Sequence, residues 1–144
     1  MKMRAFESGA VAELQVAAGH MEREHTMEMT GKERFGMDDL MEIIRLLRRP
    51  VGGCPWDSVQ THQSIRMNFL EETCEVLEAI DLADSTLLCE ELGDILMQVA
   101  LHTAMEEEQG RFTLEDVCTG VCRKLIYRHP HVFAGKAAPG PSTW

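Results

Sequence analysis

Aromatic side chains make up only 6% of this 144-residue chain, with a single tyrosine. A core has to be filled instead by Leu, Ile, Val and the ten methionines, side chains that suit packing between helices. Basic residues are scarce too: 14 Lys and Arg stand against 24 Asp and Glu, giving a net charge of −10 and a pI near 5.0. With no run of Lys or Arg to neutralise a phosphate backbone, nucleic acid is excluded as a main partner. No apolar stretch reaches the roughly 18 residues that span a bilayer, so no membrane partner is expected. The opening MKMRAFESGAVAELQ carries Glu7 and Glu13 and lacks the continuous apolar core of a signal peptide. The cysteines number five, and no CxxC pair occurs. Cys118 and Cys122 lie one helical turn apart, a spacing that suits packing better than zinc. Reduced thiols in a cytoplasmic protein are the expectation.

Strand alternation and internal repeats are also absent, whereas helical periodicity is strong from Met37 onward. Asp38 or Asp39 can cap a first helix running to Arg49, with Leu40, Ile43, Ile44 and Leu47 on one face. Pro50 stops it, Gly52-Gly53 make a turn, and Cys54-Pro55-Trp56-Asp57 form a rigid loop. A second helix is predicted over 61–83, with Ile65, Phe69, Val76, Leu77 and Ile80 inward. Asp84-Ser85 then break and re-cap the chain. A third is predicted over 86–109, with Leu88, Leu92, Ile95, Leu96 and Val99 inward and Gly110 as its terminating glycine. Thr113 and Asp116 resemble a capping box for a fourth, which carries Leu114, Val117, Val121 and Leu125 and ends before Pro130. The fold class is therefore all-α: an antiparallel bundle of about four core helices joined by short connections. Residues 1–36 form an arm, either helical or disordered; 37–133 form the helical domain; 134–144 form a flexible tail rich in Gly, Pro and Ala.

Two i,i+3 acidic pairs, Glu72/Glu75 and Glu91/Asp94, sit inside the apolar stripes of the second and third helices. At about 100° per residue, Ile65 lies about 20° from Glu72, Val76 about 40° and Phe69 about 60°. Glu71 and Glu78 point away and read as solvated. Glu91 is flanked by Leu87, Leu88 and Ile95, while Asp94 shares its sector with Gln98 and Leu101. Bare buried carboxylates are costly, and their repulsion raises at least one pKa unless a cation lies between them. Two readings follow from spacing alone: a hard divalent cation such as Mg²⁺, or ion pairs with Arg or Lys across the bundle. Lys124 and Arg128, i,i+4 on the fourth helix beside Val117 and Val121, could serve those ion pairs or hold the phosphates of a metal-bound ligand.

The chain resembles the MazG-type nucleoside triphosphate pyrophosphohydrolases of the all-α NTP pyrophosphatase superfamily. The matching blocks are GGCPWD (52–57), QTH (60–62), LEETCEVLEAID (70–81), EELGDILMQV (90–99), EEEQGRF (106–112) and KLIYRHPHVF (124–133). The family's EExxE…ExxD signature stands here as Glu71-Glu72-x-x-Glu75 and Glu91-x-x-Asp94. A lone ExxE is a weak signal; the ordered set of blocks, covering roughly 37–135, is a specific one. The resemblance implies a bundle that assembles as a dimer or higher homo-oligomer. It implies Mg²⁺, with Mn²⁺ as substitute, on Glu72, Glu75, Glu91 and Asp94, which also form the catalytic set. It implies hydrolysis of an NTP or dNTP to the monophosphate and pyrophosphate, a house-cleaning of nucleotide pools. Lys124, Arg128 and Asn68 match positions that contact the nucleotide. The alternative is a non-catalytic nucleotide-sensing or protein-interaction module built on the same bundle.

Other residues carry weaker signals. Trp56, Gln60 and His62 shape a base pocket or dimer edge, or else Trp56 anchors a structural loop by packing. Gln98 and His102 follow the line of Asp94 and either meet the ligand or pair in the core. His129 and His131 flank Pro130 without a third zinc ligand, and read as a helix-ending motif. Glu22-x-x-His25 has the spacing used in di-iron bundles, but only one copy occurs.

Overall fold

A computed structural model of the chain describes residues 29–135. The chain divides into two compact units, 1–36 and 37–144. In the first, the Lys32 ammonium sits over the Phe35 ring, 5.9 Å from its centroid. The Glu22/His25 pair lies outside the described residues.

The second unit opens with α1, Met37–Leu47, which starts early enough to place Asp38 and Asp39 in its first turn, opposing the helix dipole. It ends two residues sooner than predicted, because the chain bends back and the Cys54 N–H caps the Leu47 carbonyl at 2.8 Å. Gly52 takes a φ of +79°, and a Cβ at Gly53 would lie 2.3 Å from the Arg49 carbonyl oxygen. Both glycines of the predicted turn are thus required, one for its left-handed backbone and one for close approach. A short 3₁₀ turn, Asp57–Val59, leads to α2, His62–Asp81, capped by a reciprocal box between Thr61 and Ser64. After a three-residue turn in which Ala83 takes a φ of 52°, α3 (Ser85–Glu107) runs back along α2. Asp84 caps it, its carboxylate accepting from the Thr86 and Leu87 N–H groups. Gly110, at φ +64°, follows its end. The predicted Thr113–Asp116 box opens α4, Leu114–Arg128, and a single turn, α5 (Pro130–Phe133), follows. The structure is all-α, and no helix is long and apolar enough to cross a membrane among the described residues.

The core lies where α1 packs on the α2–α3 hairpin. Met41, Ile44, Ile65, Ala100, Leu101, Ala104 and Met105 are buried there, with Met37, Leu40, Leu47, Met97 and Leu114 against them. Arg48 locks this end. It is 7% exposed, forms a two-pronged bond to Glu108 at 2.6 and 2.9 Å, and donates to the Asp57 and Gln60 carbonyls. Arg45 binds Glu107 in the same forked manner.

The other half of the hairpin departs from the predicted inward faces. Leu77, Ile80, Leu92 and Leu96 are about half exposed, at 56, 54, 48 and 47%. Beyond its first turn α4 does not pack along the hairpin: it buries no residue, and Val117, Val121 and Leu125 are 40 to 45% exposed. Cys118 and Cys122 are likewise exposed rather than packed, and the described cysteines are all free thiols. Periodicity reports which residues share a face; it does not report whether anything covers that face.

Candidate metal centre

Antiparallel pairing of α2 and α3 turns the two acidic spacings into one cluster. One carboxylate oxygen from each of Glu72, Glu91 and Asp94 lies within 4.8 Å of the others. Glu91 is buried, and Glu72 and Asp94 are half-buried. Among the described residues this is the one group of three or more His, Cys, Asp or Glu placed to hold a metal ion. Glu75 is exposed and outside that trio, yet it adjoins both Glu72 and Glu91. Glu71 and Glu78 are exposed, as the helical wheel predicts.

Burial holds the Glu72 carboxyl above its ordinary range, and the nearby Asp94, Glu75 and Glu91 add to the shift. Glu91 is raised in the same way, by burial first and then by Glu75, Asp94 and Glu90. Among the described residues no Lys, Arg or His forms an ion pair with any of the four acids. The ion-pair reading of these acids is therefore not realised among the described residues. A set made only of carboxylate oxygens matches a hard divalent cation rather than a soft one.

Of the residues expected to meet the nucleotide, Asn68 is half-buried one turn ahead of Glu72. Lys124 and Arg128 are exposed on α4, and their side chains make no hydrogen bond or ion pair to another described residue. The fold of one chain does not bring them to the acids.

At the opposite end of the hairpin lies a network that spacing did not predict as such. The His62 and His102 rings stack with centroids 5.0 Å apart and share an Nδ1···Nδ1 hydrogen bond of 2.7 Å. His62 Nε2 lies 2.6 Å from Glu106 Oε1, and the Arg111 guanidinium forks onto the same carboxylate. Since the carboxylate accepts, His62 Nε2 carries a proton, and the Nδ1 pair is satisfied when His102 donates its Nδ1–H to His62. Burial and the facing His62 lower the His102 pKa, which keeps that ring neutral. His102 thus pairs with His62, not with Gln98, whose buried Oε1 has no partner among the described residues. The clue in the sequence was His62 at the start of α2 against His102 and Glu106, one turn apart near the end of α3; only an antiparallel register joins them.

Arg111, and then His62, hold the Glu106 carboxyl down to about 2 from an ordinary 4.5. A depressed carboxylate contributes stability that is full above its unfolded value and lost as pH falls through its folded one. The unfolding free energy should therefore drop between pH 4.5 and about 2, and Glu106→Gln should flatten that part of a pH–stability profile from urea titrations. An unchanged profile in the variant would show that the network contributes nothing.

Trp56 does not anchor its loop by burial: the residue is 56% exposed, and its carbonyl accepts from Gln60 Nε2 at 2.9 Å. His129 and His131 lie with ring centroids 5.6 Å apart; His129 Nδ1 donates to the Leu125 carbonyl, consistent with a helix end.

Known proteins of similar sequence point to one family. The model of the MazG nucleotide pyrophosphohydrolase domain matches residues 60–133. A nucleoside triphosphate pyrophosphohydrolase of Escherichia coli is 47% identical over 106 residues, 74% of this chain and 40% of that protein. The nucleoside triphosphate pyrophosphohydrolase/pyrophosphatase MazG of Thermotoga maritima is 43% identical over 107 residues, 74% of this chain and 42% of its own length. The uncharacterised Bacillus subtilis protein YabN is 54% identical over 91 residues, which are 63% of this chain and 18% of that protein. The chain thus spans well under half the length of these relatives.

Proposed function

Because this chain belongs to the MazG nucleotide pyrophosphohydrolase domain family, we propose that it hydrolyses nucleoside triphosphates, ribo or deoxy, to the monophosphate and pyrophosphate. The observation that supports this most directly is the approach of Glu72, Glu91 and Asp94 within 4.8 Å. Glu72, Glu75, Glu91 and Asp94 would hold Mg²⁺, with Mn²⁺ as substitute. The bound ion supplies charge neutralisation at the triphosphate and acidity to a coordinated water. The residues of the chain do the rest. Glu72 or Glu75 orients the attacking water and takes its proton. Asn68 contacts the nucleotide just ahead of the acids. Lys124 and Arg128 neutralise charge growing on the phosphoryl oxygens as the α–β anhydride breaks. We read the helical domain as residues 37–133, acting in the cytoplasm to clear aberrant nucleotides.

The test is a panel of NTPs and dNTPs incubated with the purified protein in Mg²⁺ or EDTA. Equal amounts of pyrophosphate and monophosphate should appear in Mg²⁺ and vanish in EDTA. Nucleotide binding by calorimetry without either product would favour a sensing module instead.

A further inference from the structure

Gln98 stands one helical turn beyond Asp94 and carries a buried polar atom with no partner among the described residues. We infer that Gln98 is a positioning residue of the proposed metal centre. Its side-chain carbonyl accepts a hydrogen bond from a water carried by the divalent ion, and so helps to hold that ion on Glu72, Glu91 and Asp94. This rests on the metal-dependent pyrophosphohydrolase reading given above.

Buried polarity falls into two groups. Among the described residues Arg48, Glu91, Gln98 and Thr103 are the buried polar or charged ones. Arg48 and Thr103 are satisfied from within: Arg48 by Glu108 and two loop carbonyls, Thr103 by donating to the Val99 carbonyl at 2.8 Å. Glu91 and Gln98 are not. The charged groups acting on Glu91 are all carboxylates, and Gln98, 3% exposed, has an enclosed Oε1 that no donor reaches among the described residues. Native interiors pair nearly every such group, so an orphan marks a partner that is not part of the chain. Both residues stand on α3, and their spacing sets them within about 20° of each other round the helix.

Their shared stripe runs from the acids into the core. Glu91, Asp94, Gln98, Leu101 and Met105 follow one another along α3, and Leu101 and Met105 belong to the apolar core. Gln98 is therefore the last polar group before the core begins. Helical side chains lean toward the N-terminal end of their helix, which tilts Gln98 toward Asp94, about 6 Å away along the axis. The register of the hairpin adds a second amide. Glu72 adjoins Asp94 and Glu75 adjoins Glu91, so Asn68, one turn before Glu72, falls opposite Gln98. A trio of carboxylates leaves a hard ion such as Mg²⁺ with octahedral positions to fill, and Mg²⁺ keeps waters there. The ion's charge makes those waters strong donors, which is what an acceptor without a donor lacks. The last torsion of a glutamine is soft, so turning the carbonyl toward such a water is easy.

Binding of Mg²⁺ alone tests the inference, read from the melting midpoint against Mg²⁺ concentration without nucleotide. Gln98→Met keeps the length of the side chain and removes the acceptor; Gln98→Glu keeps an acceptor oxygen at the same reach. Wild type should gain stability as Mg²⁺ is added. Gln98→Met should need about 10- to 100-fold more Mg²⁺ for the same gain, the usual effect of losing a contact behind the metal ligands. Its metal-free midpoint should stay at or above that of wild type, because an orphaned group has gone. Gln98→Glu should hold Mg²⁺ at least as well as wild type. A Gln98→Met protein that binds Mg²⁺ like wild type would overturn the inference, since an amide that only fills space leaves metal affinity alone. Equal loss in both variants would overturn it as well, because the acceptor would not then be what matters. A wild type that Mg²⁺ does not stabilise would instead remove the metal reading itself, and the inference with it.

Discussion

Glu91→Gln is expected to lower Mg²⁺-dependent pyrophosphate release by roughly 10³-fold, the scale of losing one preorganised electrostatic group, while raising the melting temperature of the metal-free protein at pH 8. The two effects share one cause. Glu91 is 8% exposed, and burial together with Glu75 and Asp94 raises its pKa. A carboxyl whose folded pKa exceeds its unfolded one binds its proton more tightly when folded. Its contribution to stability therefore falls as pH rises from the ordinary carboxylate range through the raised value, and stays low above it. Glutamine keeps the shape and removes the charge. It should relieve the metal-free bundle and at the same time remove an oxygen donor that a divalent cation needs. Thermal unfolding at pH 8 with and without Mg²⁺ checks both halves. Mg²⁺ should raise the wild-type midpoint and leave that of the variant nearly unmoved. A variant that is less stable than wild type without metal, and still active with it, would show that Glu91 plays a structural part only.

Arg48→Ala should cost about 3 kcal/mol of unfolding free energy, in the range for removing one partner of a buried, hydrogen-bonded ion pair. Glu108 is half exposed and regains water, so the lost pair is the smaller part of this. The larger part is the pair of carbonyls, Asp57 and Gln60, that lose their guanidinium donor, together with the packing of the arginine stem. One side chain thus ties the end of α1, the loop that enters α2 and the end of α3. Arg48→Lys should recover only a fraction, because an ammonium cannot reproduce the fork. Urea unfolding checks the ranking, wild type above Lys above Ala. A loss below about 1 kcal/mol for alanine would mean the loop holds itself.

Much of the helical content was legible because it is local. Asp84 caps α3, Thr113 and Asp116 box α4, and Gly110 ends α3 as read, each through contacts within a few residues. The boundaries shifted by one or two residues where a distant group intervened, as Cys54 does at the end of α1. Arg48 went unnoticed: in RLLRRP nothing separates a buried arginine from its exposed neighbours until the loop folds over it. Leu77, Ile80, Leu92 and Leu96 were read as inward because periodicity marks them as one face.

The sequence by itself determined that the chain is helical, where its caps lie, and that Glu72, Glu75, Glu91 and Asp94 are spaced for one face of each helix. Those properties depend on a 3.6-residue repeat and on hydrogen bonds between near neighbours. The tertiary structure alone decided that Glu72, Glu91 and Asp94 form the tight trio with Glu75 at its rim, that His62 meets His102, and that α4 holds Lys124 and Arg128 away from the acids of its own chain. Each of these is set by how one helix registers against another, and that register depends on side chains far apart in sequence whose packing no local pattern encodes.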